Sequence, residues 1–395
     1  MVYKNTRIYD TQEKAFKSAD IVIEDGRFAS IDYICEICEI DHTNKIMQSQ
    51  IIIPGFVDIH SHGAAGIDMM SATSGELVQM SEYYAQNGVT TLFPSTVSDS
   101  RERILRMIDE VKKARKLARI DFAGIHLEGP YINKNKAGAH SLNYIRDVDM
   151  GELSDICEAT LEGGLRLHVT LAPEIGGGLD AVKFLISRGA TVTLGHTEAN
   201  AETIAHAIKL GAGSFTHLFN AMPGIHHRDA GVAVHAINSP ACVELICDGI
   251  HVCPEVISLT VSAKGLDKII IVSDSMSAAG LPEGEYNLGQ SAVTMTNGKV
   301  VITGTDTIAG SVANLCGELQ NFMKFTGVSF EGALPTATSN PARCVGLYDT
   351  TGGSSGISGN NGIGSIEEGK SADFIVWDTN INGIREVYAK GERVF

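Results

Sequence analysis

Long hydrophobic runs are missing from this 395-residue chain. No stretch reaches the about 18 apolar residues that a bilayer-crossing helix needs, so no membrane span is expected. The opening MVYKNTRIYDTQEKAF is charged and has no apolar core, so no secretory signal is expected. Positive charge is scarce as well. The formal net charge is -16, which argues against nucleic acid and an anionic membrane as partners, since both repel a chain of their own sign. A small anionic substrate is not excluded, because a site needs only local positive charge. The cysteines lack a pattern. Eight are spread along the chain, and Cys35 and Cys38 form a lone C-x-x-C with no second pair at zinc-site spacing. Reduced, mostly buried thiols in a cytoplasmic protein are the expectation. No internal repeat of solenoid period is present.

The composition, 44% hydrophobic and 20% charged, is that of an ordinary globular protein. The length suits a barrel of about 250 residues with a satellite domain. Both ends read as strands. ADIVIEDGRFASID sets two apolar runs around Asp25-Gly26, a dipeptide that accepts the positive φ of a tight hairpin. GSIEEGKSADFIVWD and IREVYAKGERVF read the same way at the other end. Neither end holds enough strands for a stable sheet alone. Residues 1–53 and 345–395 are therefore expected to pair into one small β-sandwich domain, with 54–344 inserted between them. The Gly/Ser-rich segment 351–364 reads as a loop between the two.

The middle alternates between short apolar runs and helix-period stretches. In SGELVQMSEYYAQNG, Leu77, Met80 and Tyr84 share one helix face, with Ser74 as N-cap and Gly88 as stop. Strands are expected at 55–60, 90–94, 122–127, 165–171, 191–195, 213–217, 243–247 and 269–273. Eight such units, most followed by a helix, indicate the α/β class and a (β/α)8 TIM barrel.

Functional residues of such a barrel sit at the C-terminal ends of its strands. The polar residues of this chain fall there. GFVDIHSHG ends the first strand, and His60 and His62, two apart, face the same side of an extended chain. Glu128 ends the third, His196 the fifth, His217 the sixth and Asp274 the eighth. A single histidine at a strand end is more often a cap or a core residue than a ligand, and Asp274 alone could serve backbone N–H groups. Six such residues at five strand ends together indicate a metal site. Nitrogen and carboxylate donors without thiolate suit zinc, and also iron, manganese, cobalt or nickel.

His-x-His on the first strand, histidines on the fifth and sixth and Asp274 on the eighth resemble the amidohydrolase superfamily. HLEGPYIN, KAGAH, LGHTEA, THLFNAMPGIHHRDAG, CDGIHV and VSDSMSAAGLPEGEY resemble its N-acetylglucosamine-6-phosphate deacetylases. The resemblance runs over essentially the whole chain. Many members of the superfamily bridge two metals with a carbamylated lysine on the fourth strand. Here that strand reads LRLHVTLAPE, without lysine, and the resemblance makes Glu128 the replacement. It implies a centre of one or two divalent cations held by His60, His62, Glu128, His196, His217 and Asp274. It implies Asp274 as general acid/base and His140 as the group that polarises the acetyl carbonyl. Asn220 and Ala221 match contacts to the sugar phosphate, Ala139 and His251 match substrate contacts, and Ile308, Ala309 and Gly310 match a loop closing over the ligand. Arg228, next to His226 and His227, matches a phosphate ligand that some members receive from the neighbouring subunit, so a homodimer is implied. Glu174, at the end of the fourth strand, reads either as a second acid or as a structural one. Two departures concern the substrate. HHRDAG stands where Arg-Glu-Pro-Gly is expected, and GTDTIAGS is longer than the usual form. N-acetylglucosamine 6-phosphate is the substrate implied, and N-acetylgalactosamine 6-phosphate is the alternative.

Overall fold

The computed structural model describes residues 1–34, 49–349 and 362–395. Cys35, Cys38 and most of the Gly/Ser-rich segment lie outside them. Eight parallel strands form a barrel: Phe56–Ser61, Val89–Pro94, Gly124–Glu128, Arg166–Leu171, Thr191–Leu194, Ser214–Phe215, Cys242–Leu245 and Ile269–Ile271. Six of them, the third to the eighth, are hydrogen-bonded in sequence order, and the first pairs with the second. Parallel bridges Ser95–His126 and Ser61–Ser275 close the ring. Every barrel strand ends within two residues of its expected end, and the first, second, fourth and fifth match to one residue at both ends. A three-stranded antiparallel sheet, Gly284–Leu288, Ser291–Thr296 and Lys299–Ile302, follows the eighth strand before its helix Leu315–Thr326.

The first barrel helix spans Ser74–Gln86 and buries Leu77, Met80 and Tyr84 on one face. Its N-cap is Thr73 rather than Ser74. The Thr73 hydroxyl accepts from the Glu76 N–H, and the Glu76 carboxylate accepts from the Thr73 N–H at 2.8 Å, a reciprocal capping box that Ser74 cannot make with the same glutamate.

Strands from both ends of the chain share one seven-stranded sheet, in the order Glu392–Arg393, Gly383–Ala389, Phe374–Asp378, Gln50–Pro54, Val2–Asp10, Ala15–Glu24 and Arg27–Tyr33. The central contact is between ends: Ile53 lies opposite Ile375 and Ile52 opposite Val376. Side chains alternate across a strand, so each face has its own partners. Ile52, Phe374 and Val376 build a small core with Ile8, Ile21 and Phe28. Ile51, Ile53, Ile375 and Trp377 join the main core of the barrel. At the hairpin, Asp25 and Gly26 have φ of 50° and 73°, the pair of left-handed residues that the dipeptide was expected to supply. The six described cysteines are unpaired; Cys253 is exposed and the other five are buried or half-buried.

Candidate active site

The six expected donors meet at the C-terminal mouth of the barrel. None is more than 6% exposed. They form two groups, His60, His62 and Asp274, and Glu128, His196 and His217, each with donor atoms within 4.8 Å of one another. Glu128 belongs to both by contact. Its Oε2 lies 2.9 Å from His62 Nε2 and 3.2 Å from His60 Nε2. Its Oε1 lies 3.0 Å from both His196 Nε2 and His217 Nε2. Asp274 Oδ1 is 3.2 Å from His62 Nε2 and 3.4 Å from His60 Nε2.

Aiming these groups inward strains the backbone. His196, His217 and Asp274 follow the ends of the fifth, sixth and eighth strands, and their φ values are 48°, 27° and 45°. Such left-handed conformations cost non-glycine residues about 1–3 kcal/mol each and gather at functional sites.

The donors fit a cation. The Nε2 atoms of His60 and His62 are 3.2 Å apart, and those of His196 and His217 are 3.1 Å apart. Unprotonated imidazole nitrogens facing each other at that spacing repel unless positive charge lies between them. Donors about 2.0–2.2 Å from a metal ion stand roughly 3–3.4 Å from one another around it. The buried carboxylates set the charge of the histidines unequally. Burial opposes charge on His62, yet hydrogen bonds to Asp274 and Glu128 hold it up at about 9. Burial also opposes charge on His60, and the Glu128 and Asp274 carboxylates outweigh it. Burial would raise Asp274, but the charge of His60 and the hydrogen bond to His62 bring it down to about 2. Burial takes His196 down to about 4. Positive charge is thus favoured on His60 and His62, beside Glu128 and Asp274, and disfavoured on His196.

A cavity of about 370 Å³ opens above it. Of the expected substrate contacts, Ala139, Asn220, Ala221, His251, Ile308 and Gly310 line it, as do His140 and Asp274. His140 Nδ1 accepts from the Ser98 N–H at 2.9 Å, so the ring proton sits on Nε2. Asp248 Oδ2 holds His251 Nδ1 at 2.7 Å. Two expected contacts lie outside the lining. Ala309 is buried, its N–H donated to the Val300 carbonyl. Arg228 is exposed and donates to His227 at 2.9 Å. Glu174 is a structural acid: its oxygens accept from Asn133, Thr197 and the Glu198 N–H at 2.6–2.8 Å, and it does not line the cavity.

Four titratable residues inside the barrel went unnoticed in the sequence: Asp58 on the first strand, Glu244 on the seventh, His126 on the third and His168 on the fourth, all fully buried. The signal was present. Glu244 interrupts the apolar run CVELIC, and alternation turns Val243 and Leu245 to the outer core, leaving Glu244 on the opposite face.

The Amidohydrolase family model matches residues 51–394. The N-acetylglucosamine-6-phosphate deacetylase of Vibrio furnissii is 34% identical over 347 residues, covering 87% of this chain and 83% of that protein. The N-acetylgalactosamine-6-phosphate deacetylase of Escherichia coli O157:H7 is 30% identical over 97% of this chain and 96% of its own. The solved structure of an N-acetyl-D-glucosamine-6-phosphate deacetylase mutant from Mycobacterium smegmatis, in complex with N-acetyl-D-glucosamine-6-phosphate, superposes with a TM-score of 0.86 at 30% identity, over 100% of this chain and 99% of that one. The chain is a metal-dependent hydrolase that belongs to the amidohydrolase family and, within it, to the group of the N-acetylglucosamine-6-phosphate deacetylases.

Proposed function

We propose that the protein removes the acetyl group of N-acetylglucosamine 6-phosphate, yielding acetate and glucosamine 6-phosphate. The observation that carries this reading is that Asp274 and His140 line one cavity directly above the six buried donors. A divalent cation, for which zinc suits the nitrogen and oxygen donors, would be held by Glu128, His196 and His217, with His60, His62 and Asp274 holding a second, and would supply Lewis-acid polarisation and a more acidic water.

The chain's own residues do the rest. Asp274 accepts a proton as water oxygen bonds to the acetyl carbon. His140 donates from Nε2 to the carbonyl oxygen as negative charge grows there. Asp274 then returns its proton to the amide nitrogen as the C–N bond breaks. Ala139, Asn220, Ala221, His251, Ile308 and Gly310 orient the sugar, and Ala309 holds the Ile308–Gly310 segment in place through its N–H on the Val300 carbonyl. Among the described residues, no lysine or arginine lines the cavity. Exposed Arg228 therefore supports a homodimer in which this guanidinium reaches the phosphate in the neighbouring subunit's site, since bidentate N–H groups suit phosphate. We further assign residues 1–53 and 345–395 to the small domain, 54–344 to the barrel, and the protein to the cytoplasm.

Deacetylation of N-acetylgalactosamine 6-phosphate is the second reading. It is favoured by Asp306 and Thr307, polar residues of the lengthened GTDTIAGS segment that also line the cavity. Acetate release from the glucosamine and galactosamine derivatives, each with and without the 6-phosphate, tests both. Fastest turnover of an unphosphorylated sugar would overturn them.

A further inference from the structure

Glu244 has no place in the chemistry above. It is fully buried in the barrel, below the donor centre. Its ion-pairing partners are His60 and His168, with His60 Nδ1 at 3.3 Å from Oε2 and His168 Nε2 at 3.4 Å from Oε1. The His217 N–H also approaches Oε2, at 3.4 Å. Among the described residues no lysine or arginine pairs with it, and such a carboxylate is costly to bury. Something must offset it.

The far nitrogens of the four donor histidines suggest what. Glu244 meets Nδ1 of His60, and the Lys136 carbonyl meets Nδ1 of His196 at 2.6 Å. Nδ1 of His62 and of His217 have no protein partner among the described residues. Each donor group thus has one histidine anchored from behind. Only in the His60 group is the anchor an ionised side chain. A carboxylate accepts and never donates, so His60 must carry its proton on Nδ1. That leaves the Nε2 lone pair facing His62, Glu128 and Asp274. The negative charge of Glu244 also passes through the ring and strengthens Nε2 as a donor.

We infer that Glu244 is a positioning residue for His60, setting its tautomer and donor strength and so the cation affinity of the His60, His62 and Asp274 group. The inference rests on the reading of these six residues as a metal centre. His168, anchored in turn on Thr191 Oγ1 at 2.8 Å, holds the other Glu244 oxygen and keeps the carboxylate from rotating.

The test is titration of the metal-free full-length protein with cobalt(II), followed by calorimetry and by the visible absorption of the bound ion. His60→Gln and His196→Gln assign the two groups. Glu244→Gln, equal in size, is expected to weaken binding at the His60 group by about 10- to 100-fold and to leave the His196 group unchanged. In a His60→Gln background the same change is expected to have no further effect, because the residue acts through that ring. Unaltered affinity in Glu244→Gln, or an equal further loss in the double variant, overturns the inference while the metal centre stands. Cobalt binding that is insensitive to both His60→Gln and His196→Gln overturns the metal centre itself. A measurement on the unmutated protein removes dependence on the variant's folding. Histidine ¹⁵N spectra of the cobalt-free, zinc-loaded protein, with His60 assigned by its loss in His60→Gln, are expected to show Nδ1 protonated. A bare Nδ1 overturns the inference.

Discussion

Asp274→Asn separates proton transfer from metal binding. The substitution keeps size and one carbonyl oxygen, so a neutral ligand to the His60 group remains while the proton acceptor is lost. Glu128, His196 and His217, whose donor atoms lie 3.0–3.1 Å apart, do not depend on Asp274. Metal is therefore expected to stay largely in place. The carboxylate that should move the proton is 6% exposed and lines the cavity. General acid–base catalysis contributes about 10²–10⁴-fold, which is roughly 2.7–5.5 kcal/mol of barrier at 1.36 kcal/mol per decade. The expected result is a fall in kcat of at least that range with substrate affinity retained, since the lost interaction acts in the transition state. Metal content, substrate affinity by calorimetry and acetate release should be measured on one preparation. More than about a tenth of the original kcat with metal in place refutes the assignment. Glu174 cannot then stand in, because its oxygens are engaged away from the cavity; Asp306 on the cavity wall would be next.

Glu128→Gln is expected to strip metal more completely than His60→Gln and His62→Gln combined, because the two Glu128 oxygens serve different groups; elemental analysis showing near-normal metal in Glu128→Gln would sink this. Arg228→Ala should raise KM for the 6-phosphorylated sugar about 10- to 150-fold, the loss of a charge-assisted pair, and barely change it for the free sugar; equal losses on both place Arg228 outside the phosphate site. In the terminal sheet, burial pushes the Asp373 carboxyl up to about 6, against the hydrogen bond from the Lys390 N–H. A carboxyl raised in the folded state favours folding at low pH, and that contribution is lost as pH rises through its folded value. Asp373→Asn should therefore raise Tm relative to the unmodified protein at pH 8, with the difference shrinking as pH falls toward 4; a variant less stable at pH 8 contradicts this.

Much of the site was legible because it depends on short-range pattern. Period-two alternation places His60 and His62 on one face, and the alternation of apolar runs with helix-period stretches marks where strands end. The ends of the chain announced their partnership by being too short to bury a core separately, and Ile53 opposite Ile375 is the contact that joins them. The cap of the first helix was misread by one residue because a serine and a threonine stand side by side, and only the reach of Glu76 back to Thr73 decides between them.

The residue types of the donors and their positions at strand ends were thus set by the sequence itself, since composition and local periodicity require no knowledge of distant contacts. The distances between those strand ends were not. They depend on how eight strands tilt and close, through the Ser61–Ser275 bridge, into a ring. Closure decides that one oxygen of Glu128 faces His62 and the other His196 and His217. It also decides that Glu244, His126 and His168 point into the ring rather than toward the helices, which alternation alone cannot say because it separates two faces without naming the inner one. Arg228 stands outside the cavity for the same kind of reason: its segment is adjacent to the sixth strand in sequence, but only the path of the chain in space determines which site it can reach.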